Sequence, residues 1–300
     1  MSLFSRFLGR KQADDLAGRP LVANPDLKNP LSLQVLFSHP YRLDADRLLN
    51  ALKSYHPSMS EARCEIDAEL SQEGTLLGML GWARHVVRLV GFNAPMPAAA
   101  VETCVAPSHY PQKLKEHARS HQAHVLLFYA GYEASPFDQY VALAAAAGVL
   151  ARLGALVVLN ESGHTSLPVA ALSGSDSAGD LIDHLRSLPL LFLYCGFVKL
   201  EVEGIRGVWM RTYGAPLLGL PDLAAPARGH EEANRFFDMF ETIFGYLRES
   251  GSRLAQGDTM QIDKEEYLRF RVPNADEGFL AGTGELLVAD IIGAHEINAS

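Results

Sequence analysis

The 300-residue sequence predicts an α+β protein: mixed or antiparallel sheets covered by helices, with a partly ferredoxin-like N-terminal part and a C-terminal strand–helix–strand unit. Three observations predict it. Apolar strand-like runs interleave with helix-like segments through the first two thirds, the pattern of a sheet with helices laid upon it. A period-two hairpin, one long amphipathic helix and three further strand-like runs make up the remainder. The length lies at the upper end of what one core covers. A division is therefore expected into residues 1–30 as a tail and linker, 31–188 as an α/β N-terminal domain, and 189–300 as an α+β C-terminal domain.

The elements are justified in order. Ser2 to Lys11 place Leu3, Phe4, Phe7 and Leu8 on one side of a short helix, suited to a membrane surface, a docking partner or a loosely packed terminus. Gln12 to Pro30 carries three prolines and reads as a linker. Leu31 to Phe37 is a strand. Asp44 caps a helix to Tyr55 in which Leu48, Leu49 and Leu52 share a face. Arg63 to Ile66, Thr75 to Leu80 and His85 to Val90 are extended. Tyr110 to Gln122 is helical with Pro111 in its first turn, and His124 to Ala130 is a strand. Ser135-Pro136 opens an alanine-rich helix to Leu153, Gly154 stops it, and Ala155 to Asn160 is a buried strand. Ser162 to Leu188 is mixed, with a loop at Ser173 to Ser177 and a helix from Ala178.

In the last third, Val198, Leu200 and Val202 alternate with Lys199, Glu201 and Glu203 along a strand from Leu191. Gly204 to Gly207 turns the chain and Val208 to Tyr213 returns. Gly214 to Gly229, with three prolines, reads as an internal loop. His230 to Ser250 is a helix whose apolar face holds Phe236, Phe237, Phe240, Ile243, Phe244 and Leu247, with Gly251 as its stop. Met260 to Asp263, Tyr267 to Val272 and Glu285 to Ile292 complete the strands.

Composition narrows the class of function. Hydrophobic residues are 48% and charged residues 20%, as in globular proteins. The most apolar stretch, Tyr140 to Leu159, is broken by Arg152 and Gly154, so no integral membrane association is expected. Arg6, Arg10 and Lys11 precede no apolar h-region, and a cytoplasmic location is expected. Cys64, Cys104 and Cys195 are odd in number and widely spaced, which fits a reducing compartment. A net charge of −9 argues against nucleic acid as a partner, because that binding needs a basic footprint. Lys199 to Ser300 holds 17 acidic and 10 basic residues and so supplies −7 of the −9. Such a surface favours a basic partner, or serves solubility alone.

Chemical motifs are sparse. His117, His121 and His124 have metal-ligand spacing, with Glu116 and His109 nearby, but H-E-x-x-H is missing and the ligand set is incomplete. They are weak candidates, and neither a metal nor a cofactor is expected. His230-Glu231-Glu232 is half of a metalloprotease motif and is better explained as acids at a helix start. The sequence has no G-x-S-x-G elbow; Ser175 and Ser177 have no base, Cys195 sits in an apolar run, and Gly282-Thr283-Gly284 is a lone turn. No catalytic residue is assigned. Trp209, Arg211 and Tyr213 alternate on one face of the hairpin, a binding hot spot if exposed and plain packing if that face is a core.

Trp209-Met210-Arg211-Thr212-Tyr213-Gly214, then Leu218-Gly219-Leu220-Pro221-Asp222-Leu223, a helix, and Gly257-Asp258-Thr259 resemble a bacterial family known as domain of unknown function 4261. The resemblance covers about Val208 to Asp263, with weaker similarity over Ala123 to Pro168. It implies a cytoplasmic accessory protein, since some such proteins look like immunity partners of secreted antibacterial toxins. The expected function is therefore an immunity-type inhibitor that binds a cognate toxin or effector protein, such as a nuclease, and occludes its active site. The expected contact residues are Glu201, Glu203, Asp258, Asp263, Glu265, Glu266, Asp276 and Glu277, with Trp209, Arg211 and Tyr213 as anchors. The alternatives are a metal-dependent enzyme using His117 and His121, and a chaperone or adaptor of a secretion system. Oligomeric state is left open.

Overall fold

In β1 (Ser32–Phe37), Leu33, Val35 and Phe37 enter the main core while Leu36 joins a smaller cluster, so the strand is buried on both faces. It lies in the interior of a seven-stranded sheet built with β2 (Arg63–Ile66), β3 (Thr75–Trp82), β4 (His85–Phe92), β5 (Ala123–Tyr129), β6 (Ala155–Asn160) and β7 (Thr165–Pro168). The order is β2-β3-β4-β5-β1-β6-β7 and every neighbouring pair is antiparallel. The computed structural model describes residues 20–71, 74–173 and 180–297. The segment Ser2 to Lys11, Ser175 and Ser177 lie outside the described residues.

Helices cover this sheet as their sequences dictate. Asp44 caps α1 (Ala45–Tyr55) by accepting from the Arg47 N–H at 2.8 Å, and Leu48, Leu52 and Tyr55 turn inward. α2 (Ala98–Val105) and α3 (Gln112–Arg119) bury Val101, Cys104, Val105 and Ala118 against Leu36, Val157 and Leu159. α4 (Pro136–Ala151) is capped by Ser135 and is buried on all sides from Gln139 to Leu150. Its alanines leave room for neighbours on every face, which a helix of larger side chains would not. β5, α4 and β6 place two mutually parallel strands on either side of antiparallel β1. This split βαβ unit is the ferredoxin-like element.

After the helical turns α5 (Leu181–Ser187) and α6 (Leu190–Leu193), the chain builds a second sheet. Its strands are β8 (Gly196–Leu200), β9 (Val208–Tyr213), β10 (Asp222–Ala227), β11 (Thr259–Gln261), β12 (Glu266–Arg271) and β13 (Leu286–Gly293). They run β11-β12-β13-β10-β9-β8, antiparallel except for the parallel pair β10/β13. α7 (Ala233–Ser250) lays Phe236, Phe240, Ile243, Phe244 and Leu247 on its inner face, and Gly251 ends it in the left-handed conformation. The protein is thus α+β with two mostly antiparallel sheets. One continuous apolar core runs from Leu33 and Val35 in the first sheet through α4 and α7 to Leu268 and Ala289 in the second. Among the described residues no helix is long and apolar enough to cross a membrane.

Two expectations are corrected. The run from Leu191 is not strand throughout: α6 occupies Leu190–Leu193, and pairing starts at Gly196. Gly214 to Gly229 is not a loop but carries β10, an interior strand. Pro226 is tolerated because pairing to β13 covers Asp222 to Ala224 and has ended before the missing N–H is reached. α2 had no sequence signal, having neither a side-chain N-cap nor a strong apolar stripe.

The two sheets touch through glycine. The turn after β6 is held by Asn160, whose amide donates to the Leu193 and Tyr194 carbonyls at 2.8 and 3.2 Å and whose oxygen accepts from the Gly163 N–H at 3.1 Å. A methyl group at Gly196 would overlap the Gly163 carbonyl oxygen. Gly196→Ala is accordingly expected to destabilise the protein by about 3 kcal/mol or more, or to prevent folding. Urea denaturation checks this; a variant within about 0.5 kcal/mol of the parent would show that the seam yields.

Candidate functional site

Period-two alternation puts Trp209, Arg211 and Tyr213 on the outer face of the second sheet. The segment 274–284 folds back over that face, and Trp209, Ala224, Leu280 and Val288 form a second small core beneath it. Trp209 meets Phe279 edge-to-face at 5.6 Å and is 7% exposed. Arg211 is 1% exposed, donates from Nη1 to the Ala281 carbonyl at 3.1 Å, and presses against Gly282, where any side chain would collide with it. Neither residue is a surface anchor. Tyr213 is half-buried.

Around Arg211 the polar groups form a chain. Asp222 Oδ2 lies 3.9 Å from Nη2, and Asp222 Oδ1 accepts from the Ala215 N–H at 3.1 Å and from Thr212 Oγ1 at 3.3 Å. The guanidinium carbon stands 3.9 Å from the centre of the Tyr213 ring, and His164, from the β6–β7 turn, stacks on the same ring at 4.2 Å. His164 holds a φ of +50°, unusual for a residue with a side chain. Arg211 Nε is buried with no hydrogen-bond partner among the described residues. Burial pushes the Asp222 carboxyl up to about 6, against the pull of the Ala215 N–H and the Arg211 charge. Burial, and then the Arg211 charge, pulls the His164 imidazole down, so it is neutral at neutral pH.

The predicted acidic residues divide by register. Leu200 faces Trp209, Val208 faces Ala227, and Gly293 faces Glu266, so the β8–β9 turn, the end of β10 and the β11–β12 turn share one end of the sheet. Glu201, Glu203, Asp263 and Glu265 are exposed there, and Glu266 sits beside them, bound to Arg235 at 2.6 Å. Glu201 also pairs with His230. Six strands at ordinary spacing spread this rim over roughly 24 Å. Asp258 and Asp276 are exposed at the opposite end. Glu277 is buried, and Arg271 grips it with two bonds of 2.6 and 2.7 Å and holds its carboxyl below the usual range. It serves the fold of the covering segment, not a contact surface.

A groove of about 510 Å³ opens within the rim, lined by Arg206, Arg228, Arg235, Glu232, Glu266 and Ile291 among others. The basic members of this groove, like Asp222 and His164, were missed from sequence. Asp222 had one available signal, its place in Leu-Pro-Asp.

The histidine cluster does not assemble. His117 is exposed, whereas the buried His121 donates from Nδ1 to the Ala118 carbonyl at 2.8 Å and accepts at Nε2 from the Met96 N–H at 2.7 Å. His124 Nδ1 is spent on the Ala94 carbonyl at 2.7 Å. Burial pulls both rings toward the neutral form. Among the described residues no group of three or more His, Cys, Asp or Glu could hold a metal ion. Cys195 is fully buried, and burial pushes its thiol well up, leaving it inert.

The raised Asp222 carboxyl links stability to pH. Its folded pKa exceeds its unfolded one, so the stability it contributes is present below about pH 4 and lost as pH rises through about 6. Asp222→Asn removes that component. The stability difference between parent and variant is expected to move by up to about 3 kcal/mol between pH 4 and pH 7. Urea titrations across that range test it, and parallel profiles would show that Asp222 titrates as an ordinary carboxylate.

A search of curated proteins and a search of solved structures each returned no match. A family model does match, and its span has a structural sense: it begins at Arg211 and ends just past Gly282, the glycine that Arg211 abuts. Residues 211–284 match the domain of unknown function DUF4261, so that stretch of the chain resembles the family.

Proposed function

We propose that the protein acts by binding, as an immunity-type inhibitor that covers the active site or substrate channel of a basic toxin or effector domain in the cytoplasm. One observation supports this reading above others: the register of six strands gathers Glu201, Glu203, Asp263 and Glu265 on one exposed end of the second sheet. A nuclease domain presents a basic cleft shaped for phosphates, and a rim of carboxylates about 24 Å across is of the right size and sign to occupy it. No comparable support attaches to a metal-dependent reading, because both ring nitrogens of His121 are already engaged.

The test is capture from the lysate of the source organism at low and moderate salt. One stoichiometric basic partner is expected, released as salt rises. Glu201→Lys, Glu203→Lys and Glu265→Lys together should weaken capture at least about tenfold, with association slowed most. The same reversal of Asp258 and Asp276, at the far end, should leave it unchanged. Equal effects at the two ends, or capture indifferent to all five charges, would remove this face from the account.

A further inference from the structure

The groove inside the acidic rim carries cationic groups that the protein does not use itself. Its carboxylates are already committed. Glu266 binds Arg235 at 2.6 Å, while Glu232 lies 3.8 Å from the same guanidinium and accepts from the Arg228 N–H at 2.6 Å. Arg235 is therefore neutralised where it stands. The exposed guanidinium groups of Arg206 and Arg228 line the same groove, and neither has an acceptor among the described residues.

Their placement is not that of loose surface arginines. Arg206 belongs to the turn Gly204–Gly207, whose last residue has a φ of +88° and packs so tightly on the Ala227 carbonyl that a side chain there would collide with it. Arg228 follows directly on β10, with its backbone tied to Glu232. The groove is mixed in character: beside its charged residues, Pro226 and Ile291, which is 38% exposed, give it an apolar stretch next to the buried Phe236. Two unpaired forks of donors beside an exposed apolar stretch match an anion that carries an apolar body. The surrounding carboxylates repel free anions at long range, so the anionic group gains most when the rest of its carrier is uncharged or basic.

We propose that this groove binds an anionic oxygen group, carboxylate or phosphate, attached to an apolar moiety, with Arg206 and Arg228 as its charge partners. The site is independent of the identity of any toxin, and its test needs no partner protein.

The test follows amide shifts of the full-length protein by NMR on titration with acetyl-leucyl-aspartyl amide, whose only carboxylate is the side chain's, with its uncharged asparaginyl amide analogue and with inorganic phosphate. The acidic dipeptide is expected to shift Gly207, Arg228 and Ile291 saturably and more weakly as salt rises. Arg206→Gln and Arg228→Gln should each weaken it roughly tenfold, together abolish it, and leave the rest of the spectrum in place. Arg253→Gln, beyond the far end of α7, should change nothing. Saturable binding of the dipeptide alone assigns the groove to carboxylates, and a matching response to phosphate assigns it to oxyanions in general. Equal binding of the asparagine analogue, binding that survives the double substitution, or no response to either anion would overturn the proposal.

Discussion

A guanidinium group cannot shed its proton on burial, so a protein that takes an arginine out of water must arrange its surroundings around that charge. Arg211 is such a residue. Three groups answer it, and each belongs to a different part of the chain. The Ala281 carbonyl holds down the segment that crosses the outer face of the second sheet. Asp222 fixes the start of β10, together with Thr212 and the Ala215 N–H. The Tyr213 ring reaches His164, which arrives from the first sheet. Removing the charge would leave Asp222 buried and unpaired, and restoring it without any of the three would strand the guanidinium. The pair contributes little net stability on this account, and its role is to make one arrangement of these segments much better than its alternatives.

Close approach is the complementary constraint. Gly163 and Gly196 let the two sheets meet backbone to backbone, Gly282 makes room for Arg211, and the alanines of α4 let a helix be surrounded on all sides. The glycine contacts at Gly163, Gly196 and Gly282 lie toward the end of the second sheet where β9 finishes and β10 starts. That end is closed by packing, by the covering segment and by the first sheet. The other end is left with turns, exposed charges and an open groove. The division between a locked end and a free end follows from where small residues and the buried charge are placed, and it is the free end that carries the open groove.

Periodicity made much of the fold legible. The apolar face of α7, the Asp44 and Ser135 caps, and the Gly154 and Gly251 stops all appear where local chemistry puts them. β10 was hidden because three prolines outweigh a short apolar run, and only the β13 register explains why Pro226 does no harm. Leu190–Leu193 forms a helical turn in apolar sequence that reads equally well as strand, the usual ambiguity of short buried runs. The candidate site was half legible. Concentrated acidity is visible in composition, but which carboxylates share an end depends on pairing between residues as far apart as Asp222 and Leu286. Asp258 and Asp276 could not be separated from Glu201 and Glu265 without it. The burial of Trp209 and Arg211 was equally out of reach, since alternation shows that residues share a face and not what later covers that face.

Rim and groove divide the work of recognition between them. Exposed carboxylates are well solvated, and pairs formed at a rim contribute little to affinity, roughly 0–1 kcal/mol each. Their summed field acts earlier, on the rate at which a basic surface arrives and on the orientations that lead to docking. The groove acts later. There Arg206 and Arg228 stand exposed beside Ile291 and Pro226, and a charge-assisted contact that a docked partner desolvates governs how long a complex lasts. A uniformly acidic face would accept any basic protein of suitable size. One cationic recess set into that face requires its partner to carry an anion at the matching point within an otherwise basic surface, and a protein lacking it would leave two arginines buried and unanswered. Selectivity on this face therefore comes from the small region whose charge opposes the rest.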